Sequence, residues 1–269
     1  LSEQSLASNL RNLIILEEGA RADIVVHYIG VGEAAYFNNT VNEISLGDKS
    51  QLQIYNVLDD GIAATNLAAS YVNVSREAFY NQFNFTIGAK MSRHETLVSL
   101  LGENANCALD GVYLMRDKAH CDNTLRIDHL VPNTTSDVMF KGVLDDHSRG
   151  VFQGKIIVHR DAQHSDGKMH NKTMLMSDTA EIDTKPELEI YADDVKCAHG
   201  AASGHVDEMA LFYMQSRGIP EARARQLLIQ SFLAQAIDRV ANDFIREAFN
   251  NKVIDWMPGV STASDLGVS

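Results

Sequence analysis

Glu189-Ile190-Tyr191-Ala192-Asp193-Asp194-Val195-Lys196-Cys197-Ala198-His199-Gly200, running on through Asp207 to Ser216-Arg217-Gly218, is where two hydrophobic periods meet. Upstream, apolar residues alternate with polar ones, the period-two signature of half-buried strands. From Asp207 the repeat lengthens to about three and a half residues, the signature of helices. The seam also carries a close cysteine–histidine pair, Cys197 and His199.

Working backwards from the seam, short alternating runs punctuated by turn residues fill residues 22 to 200. Ile44 and Leu46 lead to Gly47-Asp48; Leu52, Ile54 and Leu58 lead to Asp59-Asp60-Gly61; Phe83, Phe85 and Ile87 lead to Gly88. Thr96, Val98 and Leu100 stop at Gly102, Cys107 and Leu109 at Asp110-Gly111, Leu125 to Val131 at Pro132-Asn133, and Val138 and Phe140 at Gly142. Phe152, Ile156 and Val158 follow Gly150, and Leu188 and Ile190 precede Asp193-Asp194. Ten or so strands with no helix between them exclude a doubly wound α/β fold and leave a sandwich, barrel, propeller or β-solenoid. Asn38-Asn39, Asn73, Asn81, Asn84, Asn104, Asn106, Asn123, Asn133 and Asn171 favour a solenoid whose turns stack Asn and Asp side chains, although no exact repeat length emerges.

Working forwards, Asp207 caps a helix that runs to Ser216, with Gly218 just past its end, and Pro220 takes a first-turn position of a second helix. Leu228, Phe232 and Ala236 form one stripe of that helix and Ile229, Leu233, Ile237 and Val240 an adjacent one. A third helix over Asp243 to Lys252 turns Phe244, Ala248, Ile245 and Phe249 toward a partner. The expected division is a β core over 1–204, a helical domain over 205–257, and a Ser-, Gly- and Val-rich mobile tail over 258–269.

Composition narrows the function. At 269 residues and 45% apolar content the chain affords a sizeable core. No run approaches the roughly eighteen uninterrupted apolar residues of a membrane helix, and Leu1 to Ala20 lacks the basic-then-apolar layout of a signal peptide. A formal charge of −13, with none of the 23 basic residues in a block, argues against nucleic acid. Cys107, Cys121 and Cys197 are odd in number and widely spaced, the pattern of reduced thiols in a cytosolic protein. Five glycosylation-type triplets, at Asn38, Asn73, Asn84, Asn133 and Asn171, therefore read as polar strand residues. No phosphate-binding loop ending in Gly-Lys-Ser/Thr is present, so the chain supplies no ATP site of that kind.

Several spots carry candidate chemistry. Cys197 and His199, two apart on a strand, share one face about 7 Å apart and are suited to iron or zinc; the competing reading is a small buried hydrophobe and an edge histidine. His120 and Cys121 are adjacent and so face opposite ways, which leaves them and His129 a poor metal set. His159, His164 and His170 surround Asp166-Gly167 and read as a solvated turn. Asp145-Asp146 with Arg149 raises a carbohydrate-active enzyme, since β-helices host polysaccharide lyases and hydrolases that use paired carboxylates; neighbours on a turn rarely meet that geometry.

Three motif groups in order resemble one family. Arg11-Asn12-Leu13 with Leu16-Glu17-Glu18-Gly19-Ala20, Asp146-His147-Ser148-Arg149-Gly150 with Phe152-Gln153-Gly154, and Lys196-Cys197-Ala198-His199-Gly200 with Leu211-Phe212-Tyr213 and Ser216-Arg217-Gly218-Ile219 are similar to the SufB/SufD family of Suf-type iron–sulfur cluster assembly proteins, and more to its SufD branch. The resemblance implies a right-handed parallel β-helix followed by a small helical domain, with an amino-terminal helical domain preceding the part seen here. It implies a non-catalytic scaffold that pairs with a SufB-like paralogue and docks the SufC-type ATPase, or closes as a homodimer when alone. His199, as candidate ligand, and Cys197 then belong to cluster assembly or the paralogue interface, with a transient iron–sulfur cluster there and no permanently bound cofactor. Phe212, Tyr213, Arg217 and Gly218 become the candidate ATPase-docking residues.

Overall fold

The computed structural model describes residues 6–30 and 34–257, so the expected tail over 258–269 lies outside the described residues. Among the described residues fourteen strands precede three helices. Seven of them, β1 (Ala7–Leu16), β3 (Phe37–Leu46), β5 (Thr65–Val74), β7 (Met91–Leu100), β9 (His120–His129), β11 (Arg149–Val158) and β13 (Glu181–Ile190), form one sheet in that order. The other seven, β2 (Arg21–Ile29), β4 (Gln51–Asp59), β6 (Phe79–Thr86), β8 (Asn106–Met115), β10 (Thr135–Leu144), β12 (Asp166–Leu175) and β14 (Lys196–His205), form the facing sheet. Successive strands alternate between the sheets and neighbours within a sheet run parallel, so the chain is a parallel β-solenoid of seven two-strand rungs.

The register explains why no exact repeat emerges from the sequence. Thr65 lies opposite Met91, an offset of 26 residues, whereas Arg149 lies opposite Glu181, an offset of 32. The strands stay close to ten residues and the turns absorb the difference. At one corner Gly19, Lys49, Glu77, Asn104, Asn133 and His164 all take positive φ two residues before the next strand, and at the other Ala89 does so two residues before it and Asp117 and Asp146 three residues before it. A left-handed residue reverses the chain sharply, and Asn, Asp and Gly tolerate it best.

Stacking fills the interior. Leu16, Leu46, Val74 and Leu100 lie in register down one column, all buried, and His129 continues it. Burial of each such aliphatic side chain contributes on the order of 2 kcal/mol. His129 is tolerated there because Thr134 Oγ1 and Ser136 Oγ each lie 2.8 Å from a ring nitrogen. Asparagines also stack across rungs, Asn12 Nδ2 donating to Asn42 Oδ1 at 2.9 Å and Asn56 Nδ2 to Asn84 Oδ1 at 2.9 Å.

Two glycines read as strand stops lie inside strands. A Cβ on Gly111 would meet the Phe140 ring at 2.4 Å, and one on Gly142 the Tyr113 ring at 2.0 Å. They mark where an aromatic from the neighbouring strand passes over bare backbone.

The helices are α1 (Glu208–Ser216), α2 (Glu221–Ile237) and α3 (Asp243–Trp256). Asp207 caps α1 as expected, its Oδ1 accepting from Met209 N at 2.9 Å and Ala210 N at 3.1 Å. Pro220 is the residue before α2 rather than in its first turn. Helices α2 and α3 share a core with the outer face of the second sheet: Tyr55, Val57, Phe83, Phe85, Val112 and Val143 meet Ile229, Leu233, Ile237, Phe249, Val253 and Trp256. That is why β4, β6, β8 and β10 are buried on both faces. On α3 the buried stripe is Phe249, Val253 and Trp256, whereas Phe244 is 83% exposed. Polar ties pin the layer: Arg239 reaches Asp110 at 2.9 Å and Asp137 at 3.1 Å, and Lys252 donates to Asp59 at 2.6 Å.

Two outcomes follow. Phe249 stacks on Phe83 at 5.2 Å and Phe85 at 4.6 Å, so Phe249→Ala is expected to cost about 3–5 kcal/mol in denaturant unfolding. Burial holds the His129 imidazole at about 4 against an ordinary 6.5. Between pH 6.5 and 4 the unfolded chain takes up that proton and the folded chain does not, so this residue contributes less stability as pH falls. His129→Gln should lower stability at pH 7 by roughly 1–3 kcal/mol, from lost hydrogen bonds, and narrow its gap to the parent as pH drops to 4; a constant gap would contradict the assignment.

Candidate functional site

Rung seven ends the solenoid among the described residues. β13 and β14 are the last strands of their sheets, so each leaves one row of backbone donors and acceptors without a neighbouring strand. On β14 the side chains of Cys197, His199, Ala201, Ser203 and His205 point the same way, toward the solenoid interior, as Gly167, Met169, Asn171 and Thr173 do beneath them on β12. His199 is exposed although Met169, directly below it, is buried. An inward-facing side chain on the last rung has no further rung to cover it.

Cys197 is half-buried against the core and His199 is exposed beside it, so the strand places the pair on one face, as their spacing requires. Burial pushes the Cys197 thiol up, with Asp166 adding to the shift and the Gly167 backbone opposing it. It is a protonated thiol at neutral pH rather than a ready thiolate ligand. Among the described residues no group of three or more His, Cys, Asp or Glu side chains is arranged to hold a metal ion. His199 therefore has no completed ligand set within the described chain.

Sequence reading missed the other residues of this open end: His205, exposed on the same face of β14, and Ile190 and Tyr191, 44% and 60% exposed. The alternation Cys197, His199, Ser203, His205 was the available signal. His170 is a correction: it is on β12 rather than in a turn, with Gly200 beside it in register. A Cβ at position 200 would lie 3.2 Å from His170 Nδ1, so glycine there leaves the imidazole its place.

Helix α1 leaves the last rung with Leu211 buried. Met209, Phe212 and Tyr213 are 76%, 68% and 60% exposed, three large side chains on one helical face. Arg217 stacks on the Tyr213 ring at 5.3 Å and donates from Nη2 to its hydroxyl at 3.2 Å, and Gly218, at φ +85°, turns the chain toward α2.

The remaining candidates are structural. Asp146 sits in a positive-φ turn and accepts from Asp117 N at 3.1 Å; Asp145 Oδ1 accepts from Asp146 N at 2.9 Å; Arg149 pairs with Asp183. A groove of about 960 Å³ does run past Asp59, Asp60, Asp117 and Asp146. Asp59 is held by Lys252, Asp60 accepts from Tyr36 Oη at 2.7 Å and Asn66 Nδ2 at 2.8 Å, and Asp146 is engaged as above. With three of these four carboxylates committed to folding bonds, Asp117 has no free second carboxylate with which to make the acid–base pair that glycoside cleavage requires. His120 and Cys121 face opposite sides of β9, and His159 and His164 bond to Asp128 at 3.0 Å and Asp194 at 2.9 Å.

The thiols give a direct check. Cys107 and Cys121 are buried, with burial raising both, so at pH 7 a thiol reagent should modify only Cys197, slowly, and faster as pH rises. Rapid modification of Cys197 at pH 7 would contradict the environment described.

Comparison with known proteins agrees with the geometry. Residues 1–232 match the family model described as SUF system FeS cluster assembly, SufBD core domain. The iron–sulfur cluster assembly protein SufD of Escherichia coli is 30% identical over 257 residues, covering 96% of this chain and 61% of that protein. A SufBD family protein of Synechocystis is 30% identical over 86% of this chain and 52% of its own length, and the chloroplastic protein ABCI7 of Arabidopsis thaliana is 31% identical over 94% and 54%. The chain thus spans about half to three fifths of the length of these relatives. A seven-rung parallel solenoid with a helical layer on one sheet, matched by the core-domain model over most of its length, belongs to the SufBD family of iron–sulfur cluster assembly proteins.

Proposed function

We propose that this chain is a non-catalytic scaffold subunit of a Suf-type assembly complex in the cytoplasm. The observation that carries this reading, beyond family membership, is the open last rung: two unpaired parallel edges with Cys197 and His199 set on them. A SufB-like paralogue continuing the sheets there would satisfy the free backbone groups and cover Ile190, Tyr191 and His199 together. An isolated chain would close the same edge with a second copy of itself.

His199 contributes to a transient iron–sulfur cluster at that junction, with further ligands supplied across the interface. Cys197 enters as an interface residue beside it and joins the ligand set only if the partner lowers its thiol pKa. No permanently bound cofactor is assigned. The exposed face of α1, with Phe212 and Tyr213 and the Arg217-Gly218 turn, docks a SufC-type ATPase, since an apolar face of this kind on a helix end suits a groove on a folded partner.

Anaerobic co-purification with the ATPase and the SufB-like paralogue, read by light scattering together with the ATPase rate, tests the scaffold reading. A stoichiometric complex with an altered rate is expected, and absence of any association would overturn it. Within the complex, His199→Ala should leave melting temperature and partner binding intact and lower cluster yield; an unchanged yield would remove the residue from cluster chemistry. Phe212→Glu should abolish ATPase association while changing stability by no more than roughly 0.5 kcal/mol, because the side chain is exposed.

A further inference from the structure

Part of the solenoid interior is not apolar. Near the corner that joins the second sheet back to the first, the inward positions of rungs two to five are polar and buried: Asn56, Asn66, Gln82, Asn84, His94 and Asn123. Hydrogen bonds join some of these, and polar neighbours on rungs one to four, into a seam. Asn12 Nδ2 donates to Asn42 Oδ1 at 2.9 Å, and Asn42 Nδ2 to Ser70 Oγ at 3.1 Å. Deeper in, Gln82 Nε2 donates to Thr96 Oγ1 at 3.0 Å and to Asn84 Oδ1 at 3.1 Å.

Four amide and imidazole atoms of this region have no protein partner, Asn66 Oδ1, Asn84 Nδ2, His94 Nε2 and Asn123 Oδ1, and Ser92 Oγ next to them is a fifth such atom. All four residues are at least 96% buried, with exposures of 0%, 1%, 4% and 1%. Register sets three of them in one layer and Asn66 one inward position nearer the corner. His94 lies beside Asn123 on the neighbouring strand, and Asn66 lies beside Ser92, which lies beside Cys121. The Gln82–Thr96 bond joins facing strands β6 and β7, so one step further toward the corner sets Asn84 across from His94. Ala68, in register with His94, is a small residue in this layer.

Rotating the amides does not repair the deficit. Asn84 Oδ1 already accepts from Asn56 and Gln82, and a flip would set donor against donor. Asn66 Nδ2 donates to Asp60 Oδ2 at 2.8 Å, and a flip would set oxygen against carboxylate. Asn123 holds only a weak bond to Cys121 Sγ at 3.4 Å, and its flip exchanges one unpaired atom for another. Each unpaired buried polar atom costs about 1–3 kcal/mol, so four in this region would exceed what a marginally stable fold tolerates. A water molecule with two to four polar partners removes that cost.

We infer that rungs three to five enclose a site for ordered water, bounded by Asn66, Asn84, His94 and Asn123 and closed beside the Cys121 thiol. The acceptors Asn66 Oδ1 and Asn123 Oδ1 take hydrogens from the bound water, and Asn84 Nδ2 gives one to it. His94 completes the set as a neutral ring, consistent with burial holding its imidazole at about 4. The tilted rings of Phe140 and Phe152, 5.4 Å apart, close the layer on the side of rung six. The polar file from Asn12, which is exposed on rung one, points to the end from which solvent exchanges.

A crystal structure of the chain that resolves ordered solvent decides it. Water is expected about 2.7–3.2 Å from at least three of the four atoms. Direct pairing of these atoms with one another or with other protein groups, with no water between, would overturn the inference. In solution, water-oxygen magnetic relaxation dispersion should count at least one long-lived internal water that is lost in Asn123→Leu. Retention of the full count in that variant, or in His94→Leu should Asn123→Leu fail to fold, would likewise overturn it.

Discussion

In-register parallel stacking is the constraint from which the rest of this molecule follows. Each inward side chain rests on the equivalent one a rung away, so the Leu16–Leu46–Val74–Leu100 column and the Asn12–Asn42 pair are two versions of one device. Apolar columns gain from burial, and amide columns pair donor to acceptor along the axis. The turns must return the chain to register whatever their length, which is why left-handed residues recur two or three residues before the next strand.

The same constraint dictates where function sits. A stacked interior covers itself everywhere except at its ends, where a rung has a neighbour on one side only. At rung seven this exposes inward-facing His199 and leaves β13 and β14 unpaired. The helical layer covers one outer sheet face and brings α1 off the last strand with an uncovered apolar face. A scaffold needs surfaces that are incomplete alone, and these are the two incomplete surfaces that the described fold presents near its seam.

Much of this was legible in the sequence because the signals were local. Period-two alternation marked strands, and Asp207 and Gly218 marked both ends of the first helix. The pairing of Cys197 and His199 on one face follows from their spacing alone. What was not legible depends on neighbours distant in the chain. Gly111 and Gly142 read as turns because the rings that need their space, Phe140 and Tyr113, lie about one rung away in sequence. His170 read as a turn because β12 carries charged residues on its outward face and few apolar ones. Phe244 read as partner-facing along with Phe249, and only the docking of α3 on Phe83 and Phe85 separates the exposed ring from the buried one.

The central claim is that the free edge of rung seven is where the paralogue adds its own strands. Amide hydrogen exchange on β13 and β14, in the complex with the SufB-like partner and in the chain diluted until it is monomeric, tests it most directly, since strand addition must pair backbone groups that are free in the monomer. Slowed exchange across Glu181–Ile190 and Lys196–His205, with β7 to β10 unchanged, is the result the account predicts. A complex that forms while exchange along both edge strands stays as fast as in the free chain would contradict it.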